Sequence, residues 1–275
     1  MVGFRHTSAR MGKVRLDTLL AERGLFESRT RAAASVMAGE VLLGAERRRA
    51  SKPGELVADD AVVDVDEKER FVSRGGVKLV NALDALGLDV AGRRALDLGV
   101  STGGFTDALL TRGAASVVAV DVAYGQVAWR LRNDPRVVLM ERTNARELAP
   151  AALPYAPDLL VADVSFISLT KVLPAVLACM SSSWDGLIMV KPQFEVGRER
   201  VGKGGVVRSA ADRRAALVSV AACARSLGAS VLGFASSGLP GPKGNRETFA
   251  WLAEGGRAGA VDDLEAAALA AEPEA

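Results

Sequence analysis

From Ser73 onward the chain repeats one pattern, and that repeat limits what it can fold into more than any other feature. Short apolar runs (RRALDLGV, SVVAVDV, RVVLME, PDLLVADV, DGLIMVKP, ASVLGFASS and ETFAWLA) alternate with Ala/Leu-rich stretches such as 105–112 and 211–227. Apolar runs of this length fit strands buried on both faces, and helices crossing between parallel strands supply that cover. The pattern predicts an α/β fold, a Rossmann-like, mostly parallel sheet with helices on both sides. The apolar stretch 172–190 is broken by Pro174 and Asp185-Gly186, so it is expected to be a helix followed by a strand, not a membrane span. No secretory signal is present, and a cytoplasmic location is expected.

The N-terminal part reads differently. Residues 1–13 are expected to be a flexible tail. RLDTLLAERG puts Leu16, Leu19 and Leu20 on one helical face, with Gly24 as its stop. SRTRAAASVMAGE offers Ser28 as an N-cap and Gly39 as a stop. EVLLG and ELVADDAVVDV are expected to be strands around the turn at Pro53-Gly54. Up to residue 52, eleven Lys/Arg stand against five Asp/Glu, a footprint suited to a polyanion or simply to a solvated surface. These signals divide the chain into a small α+β domain over 14–63, a linker over 64–72, a larger domain over 73–254 and a C-terminal tail over 255–275, with a weak helical signal at Val261, Leu264 and Ala268.

Some chemistry is excluded by residue type. The single histidine, His6, and the two cysteines, Cys179 and Cys223, make histidine-based acid–base work and a metal site poor readings. Both cysteines sit in apolar runs and are expected to be buried thiols.

ALDLGVSTGGFTDALL, residues 95–110, carries a stronger signal. A strand ends at Asp97-Leu98-Gly99, a glycine-rich turn follows, and a helix begins near Phe105. Glycines 99, 103 and 104 are expected to let the backbone approach a ligand. About twenty residues on, a second strand ends in Asp121, where an acid binds ribose hydroxyls of adenosine-bearing cofactors. Asp163 and Lys191 each follow an apolar run, which puts them at carboxyl strand ends. A lysine there is costly unless paired, and Asp163 is its natural partner, whether in a structural ion pair or in a reactive one.

Taken together, SRGGVKL, LDLGVSTGGFTD, VAVDVAYGQ, ADVSFISL, VKPQFEVG and GPKGNRETF resemble the TlyA family of ribosomal RNA cytidine-2′-O-methyltransferases, within the FtsJ-like ribose methyltransferases. The resemblance covers roughly residues 14–252. RLDTLLAERGLFESRTRA and AGEVLLG are similar to the small RNA-binding domain named after ribosomal protein S-four. The resemblance implies a catalytic set on Lys78, Asp163, Lys191 and Glu247. It implies S-adenosyl-L-methionine as cofactor, its methionine part held by Asp97, Gly99, Ser101, Gly103, Gly104, Phe105 and Thr106, its ribose by Asp121 and its adenine near Asn144. Ribosomal RNA is the implied partner, with no membrane and no metal, and a monomer is expected. Arg15, Arg29, Arg31, Lys52 and Arg74 are the expected RNA contacts. Lys191 would take the proton of the 2′-hydroxyl, steadied by Asp163, while Lys78 and Glu247 pair and orient the ribose. The sequence departs from the family's pattern at Gly76-Val77, where Ala-His is common, and at Phe71, where Trp is common. Rival readings are a small-molecule methyltransferase with a basic appendage and a membrane-active haemolysin, an activity with which the family has been linked.

Overall fold

The computed structural model describes residues 12–65 and 70–272. Most of the tail expected over 1–13, the core of the expected linker, and the last three residues of the C-terminal tail lie outside the described residues. Two units meet at the boundary between Arg70 and Phe71.

In the first unit, β1 (Lys13–Arg15) leads into α1 (Leu16–Glu22), then α2 (Arg29–Met37), β2 (Val41–Leu43), β3 (Arg48–Arg49), β4 (Leu56–Ala58) and β5 (Val63–Val65). Ser28 caps α2, its side chain accepting from the Arg31 amide. β1 pairs with β4, and β2 is flanked by β3 and β5. The apolar faces of both helices meet β2 in a small core of Leu16, Leu20, Ala32, Val36, Val41 and Leu43. ELVADDAVVDV forms two strands rather than one, because Asp59-Asp60 makes a turn between them.

In the second unit, α3 (Arg74–Leu86) precedes β6 (Arg94–Leu98), α4 (Gly104–Thr111), β7 (Ser116–Val120), α5 (Trp129–Arg132), β8 (Val137–Met140) and β9 (Leu159–Ala162). There follow α6 (Leu173–Leu177), β10 (Asp185–Val190), α7 (Pro192–Glu195), α8 (Ala210–Ser226), β11 (Ser230–Ser236), β12 (Thr248–Ala253) and α9 (Leu264–Ala271). All seven apolar runs are strands of one sheet, ordered β11-β12-β10-β9-β6-β7-β8. Only β12 runs against its neighbours. Alternate residues feed two cores, as strand geometry demands. Leu96, Val118, Leu160 and Ile188 face α6 and α8, while Ala95, Val117, Leu159 and Leu187 face α3 and α4.

Two rims bound this sheet. At the amino ends of the strands, Arg93 bonds Asp158 at 3.2 Å and Asp185 at 3.1 Å. Asp185 also accepts from the Trp251 indole at 3.0 Å and from Arg257 at 3.3 Å. The carboxyl ends carry the loops described below. On the helical flank, α9 packs through Leu264 and Ala268 into the main core. The next residue, Glu272, is 4% exposed. Its carboxylate accepts from Arg213 Nε at 2.9 Å and from Thr248 Oγ1 at 2.7 Å.

α3, unheralded by the apolar pattern, starts with Gly75-Gly76. A Cβ on Gly76 would lie 2.4 Å from the Phe71 ring. The two departures from the family pattern, Phe71 and Gly76, are therefore one packing unit. Both cysteines are free thiols: Cys179 is buried and Cys223 partly so.

Candidate active site

The carboxyl ends of β6, β7 and β9 and the loop after β8 surround a cavity of about 450 Å³. Gly99, Ser101, Asp121, Asn144, Asp163 and Ser165 all line it, together with apolar walls from Val122, Ile167 and Val172. A parallel sheet opens its crevice at this end because the connections diverge there.

The glycine-rich turn forms for reasons of packing. A Cβ at Gly99 would lie 2.8 Å from the Asp163 carbonyl oxygen, and one at Gly104 would lie 2.2 Å from Ser73 Oγ. At Gly103 the obstacle is Leu131, 2.3 Å away. At all three positions the room for a side chain is taken by protein, so glycine lets the turn sit close against β9, α3 and α5, and Gly99 also lines the cavity. Beneath the turn, Asp97 is fully buried and accepts from Thr106 Oγ1 at 2.6 Å. Its second oxygen has no hydrogen-bond partner. Burial pushes its pKa up to about 7, with the Thr106 hydrogen bond working in the other direction. Phe105 and Thr106 are likewise buried, so Asp97, Gly103, Gly104, Phe105 and Thr106 support the turn rather than line the cavity with side chains.

Asp121 holds the end of β7 to the turn. One carboxylate oxygen accepts from the Ser101 amide and the other from the Ala123 amide, each at 2.8 Å. Each oxygen keeps a lone pair for a further donor. Asn144 caps a short 3₁₀ turn by accepting from the Arg146 amide at 3.1 Å, and donates to Glu147 at 3.2 Å.

Asp163 and Lys191 meet at the lip, with Lys191 Nζ 2.5 Å from Asp163 Oδ1. Burial raises the Asp163 pKa, and the charge on Lys191 opposes that rise. Lys78, in α3, pairs with Glu247, and both are buried. All four residues of the set are thus brought to one end of the sheet, as two ion pairs. The charges of Glu247 and Lys78 also reach Asp163.

Ser165, which sequence reasoning passed over, accepts from Lys191 Nζ at 2.7 Å. Its loop is clasped by Glu195 in α7, which accepts from Ser168 Oγ at 2.6 Å and from the Leu169 amide at 2.9 Å. Burial raises the Glu195 pKa.

The expected RNA contacts fare unevenly. Arg15 bonds Asp17 at 2.7 Å, and Arg29 lies 3.7 Å from the same carboxylate. Arg31 and Lys52 are exposed, with no ion pair among the described residues. Arg74 donates to the Pro240 carbonyl at 2.8 Å. Arg47 and Arg48 pair with Asp64 and Glu55. Over 12–65, nine Lys/Arg meet nine Asp/Glu, so the surplus seen up to residue 52 is offset by acids that follow it.

A seven-stranded α/β sheet with an acid at the end of its second central strand and a lysine–carboxylate pair on its lip defines a Rossmann-like methyltransferase. Residues 71–254 match the FtsJ-like methyltransferase family, and the chain belongs to it. It is 52% identical over 242 residues to the 16S/23S rRNA (cytidine-2′-O)-methyltransferase TlyA of Mycobacterium tuberculosis, covering 87% of this chain and 90% of that one. A 23S rRNA (cytidine-2′-O)-methyltransferase TlyA of Campylobacter jejuni is 35% identical, over 66% of this chain and 70% of that one. Among solved structures, a hemolysin-named protein of Streptococcus thermophilus superposes with a TM-score of 0.70 at 39% identity, covering 95% of this chain and 96% of the other. Among the described residues, no helix is long and apolar enough to cross a membrane.

Proposed function

We propose that the protein transfers a methyl group from S-adenosyl-L-methionine to the 2′-hydroxyl of cytidine in ribosomal RNA, with Lys78, Asp163, Lys191 and Glu247 as its catalytic set. The observation that carries this reading is the Lys191 amine 2.5 Å from the carboxylate of Asp163, a residue that lines the cavity. The family supports the donor and the 52%-identical relative supports the acceptor.

The cavity suits that donor. Its acid at Asp121, amide-rich rim at Asn144 to Arg146 and apolar walls match a ribose, a purine and an aliphatic chain. Asp163, a carboxylate that lines the cavity, is suited to a neighbouring positive charge. When bound, S-adenosylmethionine supplies an electrophilic methyl carbon on a sulfonium.

The chain's own work is positioning and proton transfer. Asp121 takes the ribose hydroxyls with its free lone pairs. Asp97 and Thr106 hold the glycine turn in shape from below. Asp163 fixes the Lys191 amine, which in its neutral form accepts the 2′-proton as the ribose oxygen attacks. The buried Lys78–Glu247 pair orients the ribose beside it. The proton leaves on Lys191 and returns to solvent after release of product.

The residue 14–63 domain is proposed as the RNA-docking module, with Arg15, Arg29, Arg31 and Lys52 on phosphate and Arg74 as a contact from the larger domain, which spans 73–254 with a tail beyond it. Removing one phosphate contact, as in Arg31→Ala, should lower the slope of log affinity against log salt by about one. An unchanged slope removes that residue from the contact set. Action on both 16S and 23S ribosomal RNA is the reading favoured by the higher identity to the relative named for both RNAs, and a cytoplasmic monomer is proposed with it. Mapping 2′-O-methylated cytidines in ribosomal RNA from cells with and without the gene tests the whole reading. Unchanged maps in both subunits would overturn it.

A further inference from the structure

We propose that Ser165 is a positioning residue that aims the Lys191 lone pair, an inference that rests on the assignment of Lys191 as the proton acceptor. A neutral amine has two N–H groups and one lone pair. To accept a proton, Lys191 must spend its N–H groups elsewhere and leave the lone pair toward the substrate. The Asp163 contact cannot set this direction alone. Its carboxylate oxygen lies 2.5 Å away and its carbonyl accepts at 3.4 Å, and contact with this one residue leaves rotation about the Cε–Nζ bond open. Ser165 Oγ, at 2.7 Å with hydrogen-bond geometry, is the short directed acceptor. With one N–H toward Asp163 and one on Ser165, rotation about the Cε–Nζ bond is fixed. The remaining tetrahedral direction is the lone pair.

The serine is held where this requires. It sits beside Phe166, whose φ of +65° is a left-handed conformation a bulky residue seldom adopts. The loop keeps that shape because Glu195 grips Ser168 and Leu169, and because the Phe166 ring lies 5.3 Å from that of Phe194. Glu195 and Phe194 belong to α7, which starts directly after Lys191. The amine and its acceptor are thus mounted on one framework. Ser165 is also exposed in the cavity, so its hydroxyl reaches the amine without a burial cost.

The test compares Ser165→Ala, Ser165→Thr, Lys191→Ala and the Ser165→Ala/Lys191→Ala double variant. Substrates are ribosomal subunits from cells lacking the gene and S-adenosylmethionine labelled on its methyl group. Ser165→Ala should lower kcat about ten- to a hundredfold, with the cofactor dissociation constant and the KM for subunits within about twofold of native. Ser165→Thr, which keeps the hydroxyl, should regain most of the loss, and the double variant should be no slower than Lys191→Ala alone. The inference is overturned by native turnover in Ser165→Ala, by a threonine variant as impaired as the alanine one, or by a loss explained wholly by weaker cofactor binding. If Lys191→Ala itself turns over normally, the acceptor assignment fails and Ser165 with it. If Lys191→Ala is dead and Ser165→Ala is native, only the present inference fails.

Discussion

The two rims of the seven-stranded sheet are built from the same residue types to opposite ends. At the amino rim, Asp158 and Asp185 are saturated: Arg93, Arg257 and the Trp251 indole converge on them. At the carboxyl rim, Asp97 keeps a buried oxygen without a hydrogen-bond partner, and Asp163 has a single amine, Lys191, against its buried oxygen. Backbone strain is divided in the same way. Of the four non-glycine residues with positive φ among the described ones, Ser101, Arg142 and Phe166 lie in the loops leaving β6, β8 and β9. One rim spends its charges on holding strands together, and the other holds charges and strain in reserve for a ligand. Charge content alone therefore does not mark a site; incomplete pairing does.

The sharpest way to break this contrast is one substitution at each rim. Lys191→Ala should cut methyl transfer about a hundred- to ten-thousandfold while leaving thermal stability and cofactor affinity near native. Retained turnover would strip the carboxyl rim of its catalytic reading. Asp185→Ala should do the reverse, costing about 1 to 3 kcal/mol because Arg93 is left with Asp158 alone, Arg257 with Glu254, and the Trp251 indole without its acceptor, in a setting partly open to water. Chemical denaturation would measure it, and the remaining folded enzyme should keep its kcat.

A smaller effect follows from Asp97. Its carboxyl is raised to about 7 by burial, so the folded chain holds a proton that the unfolded chain releases near pH 4. Stability contributed by this group is complete below the unfolded value and is lost as pH rises through about 7. The native melting temperature should fall between pH 5 and pH 8 relative to Asp97→Asn, which has no proton to lose. Parallel curves would show that Asp97 is not the group responsible. The smallest effect is at Ser101, where φ is +50°. Ser101→Gly should relieve the left-handed strain and stabilise the fold by up to about 1 kcal/mol. Cofactor affinity should fall at the same time, since the turn is held less firmly. A glycine variant that is less stable would argue that the turn carries no strain.

The sequence made the sheet legible because its strands are buried on both faces. Burial leaves each strand as an apolar run, and all seven runs became strands. α3 stayed hidden because Gly75-Gly76 opens it, and glycine argues locally against a helix. The proposed catalytic lysines and acids were legible as a set only through family resemblance, since a lysine after an apolar run looks the same in a structural ion pair. Ser165 sits inside the family motif ADVSFISL but carried no signal of a role: a serine beyond a strand is ordinary, and its meaning depends on an amine 26 residues away. The N-terminal charge surplus leaves its partners hidden for a related reason. Glu55 and Asp64 are visible in the sequence, but that they face Arg48 and Arg47 follows from the fold that pairs β2 with β3 and β5.

Glu272 has a consequence for handling the protein. Its side chain is the counter-ion of Arg213, and both groups lie within the folded body. A version shortened to Ala271 would strand a guanidinium in the interior and loosen Thr248, the neighbour of Glu247. Additions beyond this point leave that contact in place, whereas trimming by a few residues removes a keystone. A protease that nibbles from this end would thus loosen the folded body well before it reached any residue of the proposed catalytic set.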